Sequence, residues 1–318
     1  MGEKIEFIKA VKEGDLLKIK EFNKLEENIN IKNENGSTAL MFAAKNGNYK
    51  IVKTLLNAGA TSNIQNNFGF TPLMAAAHGE SSEIIELLLN KGANIISKNN
   101  VGTTALMWAV IEGTNTAVKT LIENGASIDT FNDSGRNALI YAVINDNIDI
   151  IKILLKNNAD INIKNDSELI PLFFGVINNN FQAVKELIKA GADINAEDGY
   201  GNTILMYAIL KNNLQLVKYL VKAGANVNAQ TKGGNTALIY ATKENNLEII
   251  DFLIKSGANL NAKTANGYTA LMHAANKINL EAFSFLEKYA SQKEKMIAKG
   301  ILKAKKRVWR IKGLSKSL

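Results

Sequence analysis

The sequence predicts an all-α solenoid, a stack of helix–turn–helix units of 33 residues with projecting turn loops, and three marks sharing that period predict it. A glycine recurs at Gly36, Gly69, Gly102, Gly135, Gly201, Gly234 and Gly267, and Glu168 alone is out of type. Two residues further on stand Thr38, Thr71, Thr104, Asn137, Ile170, Thr203, Thr236 and Thr269. A Gly-Ala pair closes the units at Gly59-Ala60, Gly92-Ala93, Gly125-Ala126, Gly191-Ala192, Gly224-Ala225 and Gly257-Ala258, with Asn158-Ala159 as its variant. Self-similarity of this length means units that cannot bury their apolar face alone and must stack.

Residues 1–32 read as a degenerate N-terminal capping unit. Ala10, Gly14 and Ile19 fall in register with Ala43, Gly47 and Val52, and Glu3, Lys4, Lys9, Lys12 and Glu13 give it a polar outer side. The first full unit, 33–65, opens on Asn33-x-x-Gly36, in which Asn bonds its own backbone and Gly takes a positive φ. Thr38 caps a short first helix marked by Leu40 and Ala43 and ended near Gly47. Ile51, Val52, Leu55 and Leu56 mark a second helix, and Gly59 supplies its left-handed end.

The same order repeats over 66–98, 99–131, 132–164, 165–197, 198–230, 231–263 and 264–290. Pro72 and Pro171, the two prolines of the chain, both fall on the first helical position, where no donor is needed. Alanine at 43, 76, 109, 142, 208, 241 and 274 lets the paired helices approach closely. The unit 165–197 reads as the weakest: Glu168 stands at the glycine turn, Ile170 cannot cap, and Gly175 replaces the helical alanine. The array closes where Glu287 takes the place of an apolar residue and no Gly-Ala pair follows.

Over about residues 3–290 the chain resembles the ankyrin repeat family. The family's helix start, Thr-Pro-Leu-His-x-Ala, is matched by Thr71-Pro72-Leu73-Met74-Ala75-Ala76. Where the family commonly has His, the chain has Met41, Met74, Met107, Ile140, Phe173, Met206, Ile239 and Met272, so apolar packing replaces a polar ladder. The resemblance implies a non-enzymatic scaffold that binds a partner protein through its concave face and turn tips. Carried onto matching positions, the contact residues are Asn35, Ser37, Lys45, Asn46, Phe68, Phe70, His78, Val101, Thr103, Ile111, Glu112, Arg136, Ile144, Leu169, Ile177, Tyr200, Leu210, Lys211 and Tyr268. Phe68, Phe70, Tyr200 and Tyr268 are aromatic at turn tips, the kind of anchor that dominates interface energies.

A further aromatic column, Phe42, Trp108, Tyr141, Phe174, Tyr207 and Tyr240, keeps the 33-residue step, interrupted by Ala75 and His273. It reads either as core stacked between neighbouring first helices or as ring edges lining the groove. The tyrosines point to partial exposure, because a buried hydroxyl needs a partner.

The net charge of +8 is local. Residues 291–318 hold ten Lys and Arg against Glu294, a net of +9, so 8 − 9 leaves the rest at −1. In this segment Ile297, Ile301, Ala304, Val308 and Ile311 follow the spacing of an amphipathic helix, and Lys299, Lys303, Lys306 and Arg310 share another face, with Trp309 beside the apolar stripe. It reads as a helix covering the last unit, as a solvated tail, or as an attachment site for an anionic membrane surface or an acidic partner. An adaptor directed by this segment to membrane or nucleic acid is the alternative function, with nucleic acid the less expected target.

No cysteine and two histidines leave no basis for thiolate or histidine-rich metal sites, and every glycine has a turn or cap reason. No catalytic, cofactor or metal site is therefore expected. The start lacks the basic and apolar run of a secretory signal, and no apolar stretch reaches the roughly 20 residues that span a bilayer. The expectation is a monomeric cytoplasmic protein.

Overall fold

The computed structural model describes residues 2–23 and 29–311. The chain divides into two compact units, Met1–Asn165 and Asp166–Leu318. Each is an array of antiparallel helix pairs. In the first, α1 (Gly2–Glu13) pairs with α2 (Leu16–Asn23), α3 (Ala39–Lys45) with α4 (Tyr49–Asn57), α5 (Pro72–His78) with α6 (Ser82–Asn90), α7 (Ala105–Glu112) with α8 (Asn115–Glu123), and α9 (Ala138–Ile144) with α10 (Ile148–Lys156). In the second, α11 (Pro171–Ile177) pairs with α12 (Phe181–Lys189), α13 (Ile204–Leu210) with α14 (Leu214–Lys222), α15 (Ala237–Lys243) with α16 (Leu247–Lys255), and α17 (Ala270–Lys277) with α18 (Leu280–Glu287). A longer helix, α19 (Gln292–Ile311), follows. Among the described residues strand pairing amounts to two single bridges, Lys32 with Thr38 and Glu197 with Thr203.

Local chemistry sets these boundaries. Thr38, Thr71, Thr104, Asn137, Thr203, Thr236 and Thr269 each accept the N–H three residues on, satisfying an otherwise orphaned donor. Ile170 makes no such bond, and Pro171 opens α11 in its stead. Inside each unit, first helices stack on first helices (α1, α3, α5, α7, α9, and α11, α13, α15, α17). The core runs between them: Met41, Met74, Met107, Ile140, Phe173, Met206, Ile239 and Met272 are buried, so the apolar column does replace a polar ladder. On the second helices Ile51, Val52, Leu55 and their equivalents face inward.

Each repeat from 33 to 263 contains three left-handed positions rather than two. Turn glycines such as Gly69 (φ +74°) and helix-end glycines such as Gly59 (φ +89°) were expected. The third lies between the paired helices, at Gly47, Glu80, Gly113, Asp146, Asn179, Asn212, Asn245 and Ile278. Glu168 takes the conformation of the glycine it replaces, with φ 61°, a backbone state that costs a non-glycine residue about 1 kcal/mol or more. It lies two residues past the start of the second unit, on the repeat that also lacks a capping side chain.

Two hydrogen-bond ladders tie neighbouring turns together. At the tips, the N–H groups of Asn67, Asn100 and Asp133 donate to the carbonyls of Asn35, Phe68 and Val101, and those of Lys232 and Ala265 to Tyr200 and Gly233. On the other side, Asn63 accepts the N–H of Asn94 (2.7 Å) and donates to the carbonyl of Gly92 (2.8 Å). Asn228 repeats both bonds with Asn259 (2.7 Å) and Gly257 (3.0 Å). Ile96 occupies the equivalent position one repeat after Asn63 and is 67% exposed. Replacing Ile96 with Asn adds an acceptor for Ser127 N–H and a donor for the Gly125 carbonyl. The expected gain is about 1 kcal/mol, modest because these bonds are solvent-exposed, and urea unfolding of Ile96→Asn checks it.

Candidate protein-binding face

In each unit the first helices bury most of their side chains and leave a column between core and solvent. Phe42, Trp108, Tyr141, Phe174, Tyr207 and Tyr240 are all half-exposed, so neither pure core nor a free surface describes them. Each ring offers one side to the stack, and most are held by a neighbour. In the first unit the Lys12 ammonium lies 4.5 Å from the Phe42 centroid, and the Arg136 guanidinium 5.8 Å from that of Tyr141. Trp108 meets Phe70 edge-on at 5.3 Å and His78 at 5.3 Å. Its indole N–H is buried with no partner among the described residues. His78 Nδ1 also hydrogen-bonds Glu112 Oε1 across one repeat, so two predicted surface residues hold one another.

The tyrosine hydroxyls are tied to the turns. Asn132 donates to the Tyr141 oxygen at 2.9 Å. In the second unit Tyr207 donates to Asp198 Oδ2 at 2.9 Å and Tyr240 to Asn202 Oδ1 at 2.7 Å, while Asn202 donates to Asp198. Desolvation pushes the Asp198 carboxyl up, but the donors of Asn202, Tyr207 and Tyr200 outweigh it and hold it below the usual carboxylate range. Burial and then the bond to Asp198 push the Tyr207 hydroxyl up to about 12, and burial raises Tyr240. Tyr207 and Tyr240 are thus fixed in place and neutral at physiological pH.

The column ends at His273, packed edge-on against Tyr268 at 5.5 Å with Nε2 buried and unpaired among the described residues. Burial, then the charges of Lys243 and Lys277, lower its pKa from 6.5 to about 4. Unfolded, this histidine takes a proton near pH 6.5; folded, it resists until about 4. Its contribution is therefore intact above pH 6.5 and lost as pH falls through that window. Because the ring is half-exposed, the full shift is discounted for solvent screening to about 1–2 kcal/mol. Melting temperatures of the wild type and His273→Phe between pH 7 and 4 check this: the wild type should lose more stability, and parallel curves would refute it.

The predicted contact residues fall into three groups. Asn35, Lys45, Asn46, Phe68, Val101, Tyr200, Leu210 and Lys211 are exposed, Phe68 at 61% and Tyr200 at 77%. Ser37, Phe70, His78, Ile111, Glu112, Arg136, Ile144, Leu169, Ile177 and Tyr268 are half-buried. Thr103 is a correction: it is buried at the base of its turn, where Asn99 Oδ1 accepts its N–H (2.8 Å) and Asn99 N–H donates to its carbonyl (3.0 Å). Phe70 and Tyr268 sit at turn tips but belong to ring pairs, which leaves Phe68 and Tyr200 as the freely presented aromatics.

Residues 292–311 form the expected helix, and α19 packs along α17. The expected seam is not the one that docks. Ala298 is buried, with Glu294, Ile301 and Leu302 half-buried around it, whereas Ile297 (42%), Val308 (47%) and Ala304 are exposed. Two polar anchors fix this rotation: Thr269 donates to the Glu294 carboxylate, and Lys299 pairs with Glu287 at 2.7 Å. Lys299 is thereby committed to an ion pair, which also explains the charge at Glu287. Lys303 is exposed and Lys306 half-exposed; the side chains of Trp309 and Arg310 lie outside the described residues.

Stacked helical hairpins with hydrogen-bonded turn tips and half-exposed rings define a repeat protein that presents a surface rather than a pocket. The family model for ankyrin repeats matches residues 7–99, 95–165, 172–264 and 226–297, and the chain belongs to that family. Ankyrin repeats are in general protein–protein interaction modules. No curated protein matches the chain. Among the described residues no helix is long and apolar enough to cross a membrane, and no group of His, Asp or Glu side chains could hold a metal ion.

Proposed function

We propose that this chain is a non-enzymatic scaffold that holds a partner protein on the concave, first-helix face of its repeats and on the exposed turn tips. The observation that carries this reading is the half-exposed aromatic column, pinned by hydroxyl bonds and cation contacts before any partner arrives. Pre-fixed rings offer contact area with little side-chain entropy left to lose on binding. Phe68 and Tyr200 add anchors that make no ring contact of their own among the described residues. Replacing both with Ala should cut partner recovery in affinity capture at least tenfold while leaving the melting transition in place. Undiminished recovery by the folded double variant would refute the role of the tips.

A second reading, favoured by the rotation of α19, is a peripheral attachment to anionic lipid. Docking leaves Met296 (71%), Ile297 and Val308 outward, beside Lys303 and Arg307. Apolar residues next to basic ones suit a headgroup boundary, at about 1 kcal/mol per basic residue near an anionic surface. Flotation of the full chain with vesicles of phosphatidylserine and phosphatidylcholine should show binding that Met296→Gln with Ile297→Gln weakens. A nucleic-acid target would instead show affinity falling steeply with salt and indifference to those two residues.

A further inference from the structure

The second unit carries a row of lysines beside its rings. Lys211, Lys243 and Lys277 stand one helical turn after Tyr207, Tyr240 and His273, at the C-terminal ends of α13, α15 and α17. These three helices stack in order. A lysine at a helix C-terminus is favoured by the helix dipole, which accounts for each one singly. It does not account for the absence of a counter-ion. Among the described residues none of the three has a carboxylate within ion-pairing distance, although exposed pairs form elsewhere, as between Lys255 and Asp251.

Lys243 is the centre of the row. It is half-buried, its ammonium lies 5.3 Å from the Tyr240 centroid, and it donates to Asn235 Oδ1 at 2.6 Å. Burial, then the charge of Lys277, pulls its pKa down. Two cations on adjacent repeats thus repel one another across a surface of half-exposed rings. Two acids lie near the row: Asp198 is engaged by Tyr207, Asn202 and Tyr200 at its other end, and Glu244 caps α15 beside Lys243.

We propose that this row seats an acidic segment of a partner protein, its carboxylates spaced to meet Lys243 and Lys277 while its chain lies on Tyr240 and His273. The proposal rests on the reading of the first-helix face as the binding face and names the chemistry of its occupant. An acidic peptide fits better than a phosphate backbone for two reasons. Glu244, in register between Lys211 and Lys277, breaks the row into separate cations that suit a few spaced carboxylates. The Asp198 carboxylate also lies within the same column and repels a continuous polyanion.

The chain has two histidines, His78 and His273, and only the second lies in the row, so the ring signals of histidine-labelled full-length protein report the site directly. Hexaglutamate with blocked ends, titrated at pH 7 and low salt, should shift the His273 signals to saturation and leave those of His78 in place; hexalysine should move neither. Lys243→Gln with Lys277→Gln should weaken hexaglutamate at least tenfold with no change in melting temperature, and Lys243→Arg should retain binding. No His273 shift at millimolar hexaglutamate, or a shift that survives in the double Gln variant, overturns the proposal. If a partner crosslinks at Tyr240 while hexaglutamate leaves His273 unmoved, the binding face stands and its acidic occupant falls; if neither occurs, both fall.

Discussion

Replacing Gly79 with alanine lowers the stability of the first unit by about 3 kcal/mol, the largest effect expected of any single methyl group in this chain. Gly79 ends α5 with an ordinary negative φ of −87°, so the reason is not conformational freedom. A Cβ there would lie 2.2 Å from the Lys45 carbonyl oxygen, 2.7 Å from its carbon and 2.9 Å from the Ala44 oxygen. All three atoms are backbone at the end of α3, so no side-chain rotation relieves the clash and the two first helices must separate. Ala75, Ala76 and Ala77 on α5 bring the helices this close, and separation opens voids beside Ala43 and Ala44. Gly199→Ala is the control: its Cβ meets only the Glu168 carboxylate, at 3.6 Å, and should cost little. Denaturant unfolding followed by Trp108 fluorescence checks the prediction, and equal midpoints for the two variants would contradict it.

Ending the chain at Ala290 should destabilise the last repeat by several kcal/mol and advance the first unfolding transition by several degrees. A terminal repeat has one stacking face with no further repeat to cover it, and solenoid stability is a sum of local and nearest-neighbour terms. Here α19 is the cover. Removing it exposes α17, where Leu271, Met272 and Ala275 are buried, strips Thr269 of its bond to Glu294, and leaves Glu287 without Lys299. At about 25 cal/mol per Å2 of apolar surface, uncovering even 150 Å2 costs about 4 kcal/mol. Thermal melts of the full and shortened chains measure it. Coincident melts would show that α19 is not the cap.

The features read correctly from sequence are those set by one residue's own backbone. Gly36 and its equivalents needed a positive φ, and the threonines two residues on needed only to cap the next helix, so type and position coincided. The third left-handed position escaped notice because closure between two helices imposes it on whatever residue stands there, including Glu80 and Ile278. Packing partners were also hidden. Phe68 and Phe70 look alike in sequence, but Phe70 is claimed by Trp108 one repeat on. The spacing of Ile297, Ala304 and Val308 gave an amphipathic helix, while Glu294, Ala298 and Lys299 decided which side of it docks. Lys243 and Lys277 were passed over because each is ordinary alone; only stacking makes them neighbours.

The central claim, that the first-helix face is where a partner sits, is tested most directly by photo-crosslinking. A benzophenone amino acid in place of Tyr240 on α15, and separately in place of Lys152 on α10 or Lys218 on α14, samples the ring column and the exposed outer helices. The account predicts a discrete crosslinked protein from the Tyr240 position that the two outer positions do not yield. Crosslinks confined to Lys152 and Lys218 would contradict it.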